Sequence, residues 1–303
     1  MLIWVPMEPV AAALAGLPGA TVETVVPDGS ALPPSVADVE FYVPPFFPSP
    51  ESVAAMAEMP KLRVVQTLTA GFDLVRPHVP AAAVLCNARG VHDASTAEWV
   101  VGAVIAMFRQ FPYFGAEQAA GRWSYRFTDC LAGKTVLIVG YGSIGQAVER
   151  RLAGFDVQVR RVARLARNGV SPVSALPALL PYADVVILLA PVTQETTGMV
   201  DAGFLARMKD GALLVNGARG ALVVTDDLVT ELRSGRLAAA LDVTDPEPLP
   251  AGHPLWALPN VLITPHIGAS TPYSAQTARS FVRQQAERYL AGEQLANVIT
   301  SDY

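Results

Sequence analysis

Short apolar runs between turn residues set the rhythm of the first hundred positions: 2–5, 21–26, 39–43, 62–68 and 83–86. They are rich in Val and Leu and separated by stretches such as Pro27-Asp28-Gly29 and Pro44-Pro45-Phe46-Phe47-Pro48, which is the pattern of β-strands. Residues 9–17 and 53–59 carry helical spacing between them. A longer apolar-periodic segment spans 95 to about 111. Its expected N-cap is Ser95 or Thr96, with Glu98 in the first turn, where a helix favours negative charge. An irregular stretch is expected from there through Trp123 to Gly133.

From Lys134 onward the period switches back and forth between two and 3.6. Strands are expected at 135–139, 157–162, 185–189, 212–215, 238–242 and 261–264, and helices at 143–152, 202–208 and 225–233. Such alternation predicts a parallel sheet covered by helices on both faces. A last helix, about 272–290, is long enough to return to the first domain. A discontinuous domain of 1–96 plus 286–303 is therefore expected, with a second domain, 97–285, inserted into it.

Composition narrows the class. At 303 residues, 51% hydrophobic and mean hydropathy +0.34, the chain can bury two cores. Its apolar runs, 99–108 and 185–191 being the longest, fall short of the ~18–20 residues of a membrane span. Residues 1–6 read as a strand and not as a signal peptide, and a cytoplasmic protein is expected. Net charge is −5, with 22 Lys and Arg scattered and no basic stripe for nucleic acid. Cys86 and Cys130 lack metal spacing and are expected to be ordinary buried thiols; the 4 histidines lie far apart, so no metal site is expected.

Chemistry first shows at Gly140-Tyr141-Gly142-Ser143-Ile144-Gly145. The turn follows a strand and opens a helix whose apolar face is Ile144, Ala147, Val148 and Leu152. In that setting the glycines serve a tight turn, close approach of backbone to a pyrophosphate and close helix–strand packing, while the helix amino terminus offers N–H groups to phosphate. The inserted domain is thus expected to be a Rossmann-type doubly wound sheet that binds a nicotinamide dinucleotide, and the first a smaller, flavodoxin-like α/β substrate domain. A ribose-binding acid should stand at the end of the second strand. The nearby carboxylate, Asp156, precedes that strand, and the far end carries Arg164 and Arg167 instead. Guanidinium groups can pair with a 2′-phosphate, so NADP is favoured over NAD. Arg160 and Arg161, inside the strand, have no account at this level.

Three further strands end in reactive side chains: Asn216-Gly217-Ala218-Arg219-Gly220, Asp242 leading to Glu247-Pro248, and Pro265-His266-Ile267-Gly268. Ligands of open α/β sheets lie beyond the carboxyl ends of the strands. Arg219, Asp242, Glu247 and His266 are therefore expected at one mouth. Together they suit reduction of a 2-oxo acid. An arginine holds the carboxylate and polarises the carbonyl. A histidine, with an ordinary pKa of ~6.5, delivers the proton. A glutamate beside it fixes the ring and favours its protonated form.

With these motifs in this order, the chain resembles the D-isomer-specific 2-hydroxyacid dehydrogenase family over essentially its whole length, in its glyoxylate/hydroxypyruvate reductase-like branch. The resemblance implies a catalytic triad of Arg219, Glu247 and His266. It places Asp242 and the backbone near Ala218 against the nicotinamide, Ala190 and Pro191 near the adenosine, and Thr96 and Gly268 near the cofactor. It gives the backbone N–H groups of the 69–73 loop, at Ala70 and Gly71, to the substrate carboxylate, together with Arg219 and His266. A small residue followed by Arg, as in Ala163-Arg164, occurs in several NADP-using members, and a homodimer through the dinucleotide domain is implied. Two positions depart from the family pattern: Trp99 stands where His is frequent, and Leu189 where His often precedes x-Pro.

Other residues have blander readings. His253 is expected to pack a loop, His78 to face solvent, and His92 to sit near the interdomain crossover, where a role lining the cleft stays open. Phe46, Phe47 and Phe72 suit a substrate wall and core packing equally. Two alternatives stand beside the reductase: a dinucleotide-sensing corepressor-like scaffold, disfavoured because no long low-complexity tail is present, and a dehydrogenase of formate or phosphite.

Overall fold

In the computed structural model, which describes residues 1–300, the chain forms two compact units, one from residues 1–92 and from 272 onward, the other from 93–271. The first unit runs β1 (Leu2–Val5), α1 (Glu8–Leu14), β2 (Thr21–Thr24), β3 (Val39–Tyr42), α2 (Pro50–Ala54), β4 (Val64–Gln66) and β5 (Val84–Cys86). All pairs are parallel, in the order β2-β1-β3-β4-β5, the flavodoxin-like arrangement. Successive strand residues serve opposite faces. Ile3, Val5, Phe41 and Val64 fill one core, and Trp4, Tyr42, Val65 and Leu85 the other with Val53 and Met56.

The second unit runs α3 (Asp93–Phe108), α4 (Phe111–Ala119), β6 (Thr135–Val139), α5 (Ser143–Leu152), β7 (Gln158–Ala163), β8 (Ser171–Pro172), α6 (Leu176–Leu179), β9 (Val185–Leu188), α7 (Ala202–Arg207), β10 (Leu213–Asn216), α8 (Thr225–Arg233), β11 (Ala238–Leu241) and β12 (Val261–Ile263). Its seven strands are parallel, ordered β12-β11-β10-β9-β6-β7-β8. The order reverses between β6 and β9, the switch point of a Rossmann sheet. Leu137, Val139, Val186 and Leu214 face one core; Val136, Ile138, Ile187 and Val215 face the other, shared with α3 and α5.

Packing moves the expected domain limits. The final helix, α9 (Pro272–Leu290), buries Ala278, Val282 and Ala286 against Ile3, Val10 and Leu14, so the second boundary falls at 271/272 and not 285/286. Gln285 ties it down further: its amide donates to Gln66 Oε1 (2.8 Å) and the Ala296 carbonyl (2.9 Å), and its carbonyl accepts from Ala296 N–H (2.9 Å). The first boundary falls at 92/93 because α3 begins at Asp93. Ser95 and Thr96 are thus inside its first turns and neither caps it. A second helix, α4, replaces part of the expected irregular stretch; Gln110 breaks the chain direction at φ 53°, and Pro112, with its preset φ, suits a new first turn. Among the described residues no helix is long and apolar enough to cross a membrane. Cys86 is buried, and burial pushes its thiol up to about 11. Cys130 departs from expectation: it is exposed, in the loop before β6.

Candidate active site

The glycine turn lies at the switch point, between the ends of β6 and β9. Gly140 has φ +98°, and a Cβ there would stand 2.3 Å from Ala190 N and 2.4 Å from the Leu189 carbonyl carbon. Only glycine allows that backbone contact. The N–H groups of Gly140 and Tyr141 both donate to the Val162 carbonyl at 2.9 Å, which bends the chain into α5. Gly142 is the N-cap of α5, and nothing stands within 4 Å of where its Cβ would be. The first-turn N–H groups of a helix lack intrahelical acceptors, so this open face fits the pyrophosphate of a dinucleotide. Ile144 packs into the core behind it and Gly145 is buried. The Ser143 hydroxyl donates to Asp93 Oδ1 at 3.0 Å, a link from the start of α3 that local sequence pattern does not disclose, because the two residues lie 50 positions apart.

At the end of β7 no carboxylate replaces the missing ribose acid. Asp156 lies at the other end of the sheet, its carbonyl accepting from Gly133 N–H at 2.9 Å, before β6 begins. Arg164 and Arg167 are exposed just past the strand. The Arg167 guanidinium donates to the Tyr141 carbonyl and stands 5.8 Å from the Tyr141 ring centroid, which brings a positive charge onto the turn itself. Arg161 now has an account: it pairs with Glu149 of α5 (Nε–Oε2 2.7 Å) beneath Tyr141, whose hydroxyl donates to the same carboxylate. The Arg161 guanidinium holds the Glu149 carboxyl below the usual range.

Register decides which residues share the mouth. Val139 pairs with Val162 and Leu188; Asn216 pairs with Leu188 and Leu241; Leu241 pairs with Ile263. The residues that follow therefore emerge in one row: Gly140, Arg164, Ala190, Ala218 and Arg219, Asp242, His266. Asn216 shapes its own turn, accepting from Ala218 N–H (3.1 Å) and donating to the Arg219 carbonyl (2.9 Å), and Arg219 Nη1 donates to the Ala218 carbonyl (2.8 Å). Arg219 itself is half-buried. A Cβ on Gly220 would stand 2.0 Å from the Thr244 carbonyl oxygen. The Arg219 and Glu247 segments are thus in backbone contact, which is why Arg is followed by Gly. Glu247 Oε1 stands 2.7 Å from His266 Nδ1. A carboxylate only accepts, so Nδ1 carries the hydrogen.

His266 has φ 55°, a left-handed backbone that costs a non-glycine residue roughly 1–3 kcal/mol. Asp242, 5% exposed, offsets this by gripping the loop: its oxygens accept from Ile267 N–H (2.8 Å), Gly268 N–H (2.7 Å) and Thr264 Oγ1 (2.6 Å), and its own carbonyl accepts from His266 N–H (2.7 Å). Both Asp242 oxygens are thus committed to the loop, a positioning duty that the resemblance did not imply. Ala190 is buried; the Pro191 carbonyl accepts from Thr196 Oγ1 at 2.6 Å. Thr96 is buried within α3.

In the first unit, the 69–71 loop turns its carbonyls inward. Thr69 O accepts from Ala88 N–H (2.9 Å) and Thr67 Oγ1 (2.7 Å), Ala70 O from Asn87 Nδ2 (2.7 Å), and Gly71 O from Thr69 Oγ1 (2.6 Å). The half-buried Ala70 and Gly71 show no protein acceptor for their N–H groups among the described residues, as an anion-binding loop requires. His92 is buried here with Nε2 2.7 Å from the Leu68 carbonyl, edge-on to Phe46. Phe72 belongs to the core, whereas Phe47 is exposed. His78 is exposed, and His253 caps a short turn by accepting from Leu255 N–H.

Comparison with known proteins gives the family. Residues 101–268 match the family model described as D-isomer specific 2-hydroxyacid dehydrogenase, NAD binding domain. A glyoxylate reductase of Thermofilum pendens is 34% identical over 255 residues, 78% of this chain and 75% of that protein. Two crystal structures superpose with TM-score 0.85: a D-isomer specific 2-hydroxyacid dehydrogenase from Xanthobacter autotrophicus Py2 in complex with NADPH and MES (30% identity, 98% of this chain and 97% of that one), and an NADPH-dependent glyoxylate/hydroxypyruvate reductase from Sinorhizobium meliloti in complex with NADP and sulfate (28%, 99% and 98%). The chain belongs to the D-isomer specific 2-hydroxyacid dehydrogenases, which are NAD(P)-dependent oxidoreductases.

The Gly220 contact makes a sharp prediction. Gly220→Ala must push the Thr244–Asp245 backbone away and displace the Arg219 and Glu247 segments together; if these two serve the reaction, as the resemblance implies, a displacement of about 1 Å lowers turnover by roughly a hundredfold. Steady-state kinetics of the purified variant check it; turnover near that of the parent would contradict the contact.

Proposed function

We propose that the protein reduces a small 2-oxo acid of the glyoxylate or hydroxypyruvate kind to the D-2-hydroxy acid, and runs the reverse reaction. The observation that carries this is the His266–Glu247 pair, 2.7 Å apart, on the same strand-end row as Arg219 and the glycine turn. When bound, the dinucleotide supplies or accepts the hydride at the substrate carbon. Arg219 binds the carboxylate and draws electron density toward the carbonyl oxygen. His266, with Nδ1 held by Glu247, presents Nε2 to give that oxygen its proton, so hydride and proton together convert C=O to CH–OH. Ala70 and Gly71 N–H groups serve the substrate carboxylate. Ala218, Asp242 and Gly268 line the nicotinamide end of the cofactor site, Gly140 to Gly145 the pyrophosphate, and Ala190, Pro191 and Thr96 its remaining length.

NADP is the preferred cofactor in this reading. Support comes from Arg164 and Arg167 at the end of β7, from the placement of Asp156 away from it, and from the NADPH and NADP complexes of the two similar structures. A homodimer is also inferred: Trp123, Tyr125 and Phe127 project outward at 101%, 81% and 87% exposure, and three large rings in water favour burial against a second copy. The free thiols Cys86 and Cys130 suit the reducing cytoplasm.

His266→Ala should lower glyoxylate turnover by about a thousandfold or more while NADPH still binds, as read by quenching of protein fluorescence; undiminished turnover would end the assignment. Arg164→Glu with Arg167→Glu should raise the KM for NADPH at least roughly tenfold, as expected from losing charge-assisted contacts worth ~1.5–3 kcal/mol, and leave that for NADH little changed. An equal change for both cofactors would refute the 2′-phosphate role. Light scattering should give a dimer mass for the parent and a monomer mass for Trp123→Ser with Phe127→Ser; a monomeric parent would contradict the interface.

A further inference from the structure

The proposed reaction leaves Trp99 of the second unit without a task. It projects from α3, half-buried, and its ring lies close to two glycines. A Cβ on Gly217 would meet the six-membered ring at 3.4 Å, and one on Gly268 would meet Cγ at 3.6 Å. Gly217 lies two residues before Arg219, and Gly268 two residues after His266. One indole thus spaces both loops that carry the substrate-facing side chains.

Its polar edge is equally placed. Nε1 stands 2.9 Å from Thr264 Oγ1, and that oxygen stands 2.6 Å from Asp242 Oδ1. An indole N–H can only donate. The Thr264 hydroxyl therefore accepts from Trp99 and turns its own hydrogen to Asp242, with no choice of direction. Asp242 then grips Ile267 N–H, Gly268 N–H and, through its carbonyl, His266 N–H. The left-handed conformation of His266 rests on that grip. The path Trp99 to Thr264 to Asp242 to the His266 loop is continuous, short at every step, and built from groups with one allowed polarity.

We infer that Trp99 is a positioning residue for the proton-donating histidine, acting through the Thr264 hydroxyl and the Asp242 carboxylate, while its ring sets the separation of the Arg219 and His266 loops. The inference rests on His266 as proton donor.

Trp99→Phe keeps most of the ring and removes the N–H. It should lower kcat with glyoxylate roughly ten- to a hundredfold, with the KM for glyoxylate and the Kd for NADPH within about twofold of the parent. Thr264→Val should do the same, and Thr264→Ser, which keeps the hydroxyl, should restore kcat. Because both lesions cut one path, Trp99→Phe with Thr264→Val should be no slower than Thr264→Val alone. An unchanged kcat in Trp99→Phe, a multiplicative loss in the double variant, or failure of serine to restore kcat would each overturn the inference. Should Trp99→Phe fail to fold, the Val and Ser variants at 264 decide it. His266→Ala separates the two levels. If it is inactive while Trp99→Phe is unimpaired, only the positioning role falls; if it stays active, the reading of the site falls first.

Discussion

Parallel strands held in strict register are the constraint on which the site depends. Val139, Leu188, Asn216 and Leu241 stand side by side across the middle of the seven-stranded sheet. Whatever follows each of them must leave the sheet at the same height. A shift of one residue in any ladder would turn that strand's side chains to the opposite face and carry its terminal residues away from the row. The buried alternation of Val136 to Val139 and Val185 to Leu188 between two cores makes such a shift costly. Burial fixes register, and register gathers the glycine turn, Arg219, Asp242 and His266.

Within that row, backbone contacts do what side chains alone do not. Gly140 lets β6 turn against Ala190, and Gly220 lets the Arg219 segment lie on Thr244. These contacts leave little slack between segments far apart in sequence. The strained backbone of His266 is tolerated because Asp242, itself buried, supplies acceptors to three N–H groups of one loop. A histidine held this way needs only Glu247 on Nδ1 to fix its ring, and Glu247 is placed by the same Gly220 contact that places Arg219.

The first unit repeats the logic on a smaller scale. Its 69–71 loop faces its carbonyls into hydroxyl, amide and backbone donors, and the N–H groups of Ala70 and Gly71 have no protein acceptor among the described residues. The Gln285–Gln66 pair, wholly buried, fastens the last helix onto that sheet across a large span of sequence. An unpaired amide in that position would be costly, so the pair also specifies where α9 docks.

The sequence by itself determined the α/β alternation, the glycine turn, the absence of a ribose acid after β7 and the placing of Arg219, Asp242 and His266 just past strand ends, because each is local: period, turn chemistry and motif spacing are written in consecutive residues. Only the tertiary structure decided what depends on contacts between distant segments. The domain limits moved to 92/93 and 271/272 because the packing of α3 and α9, not their periodicity, assigns them. Cys130 came to the surface, and a second helix formed after Gln110. Arg161, puzzling in a strand, found Glu149 on the neighbouring helix. Asp242 proved to be an anchor for the loop of His266, and Trp99, an oddity in a motif, proved to donate to Thr264 and to lie beside Gly217. No local pattern encodes such partners, since hydrogen bonds and close contacts across 22 or 165 residues exist only once the chain has folded.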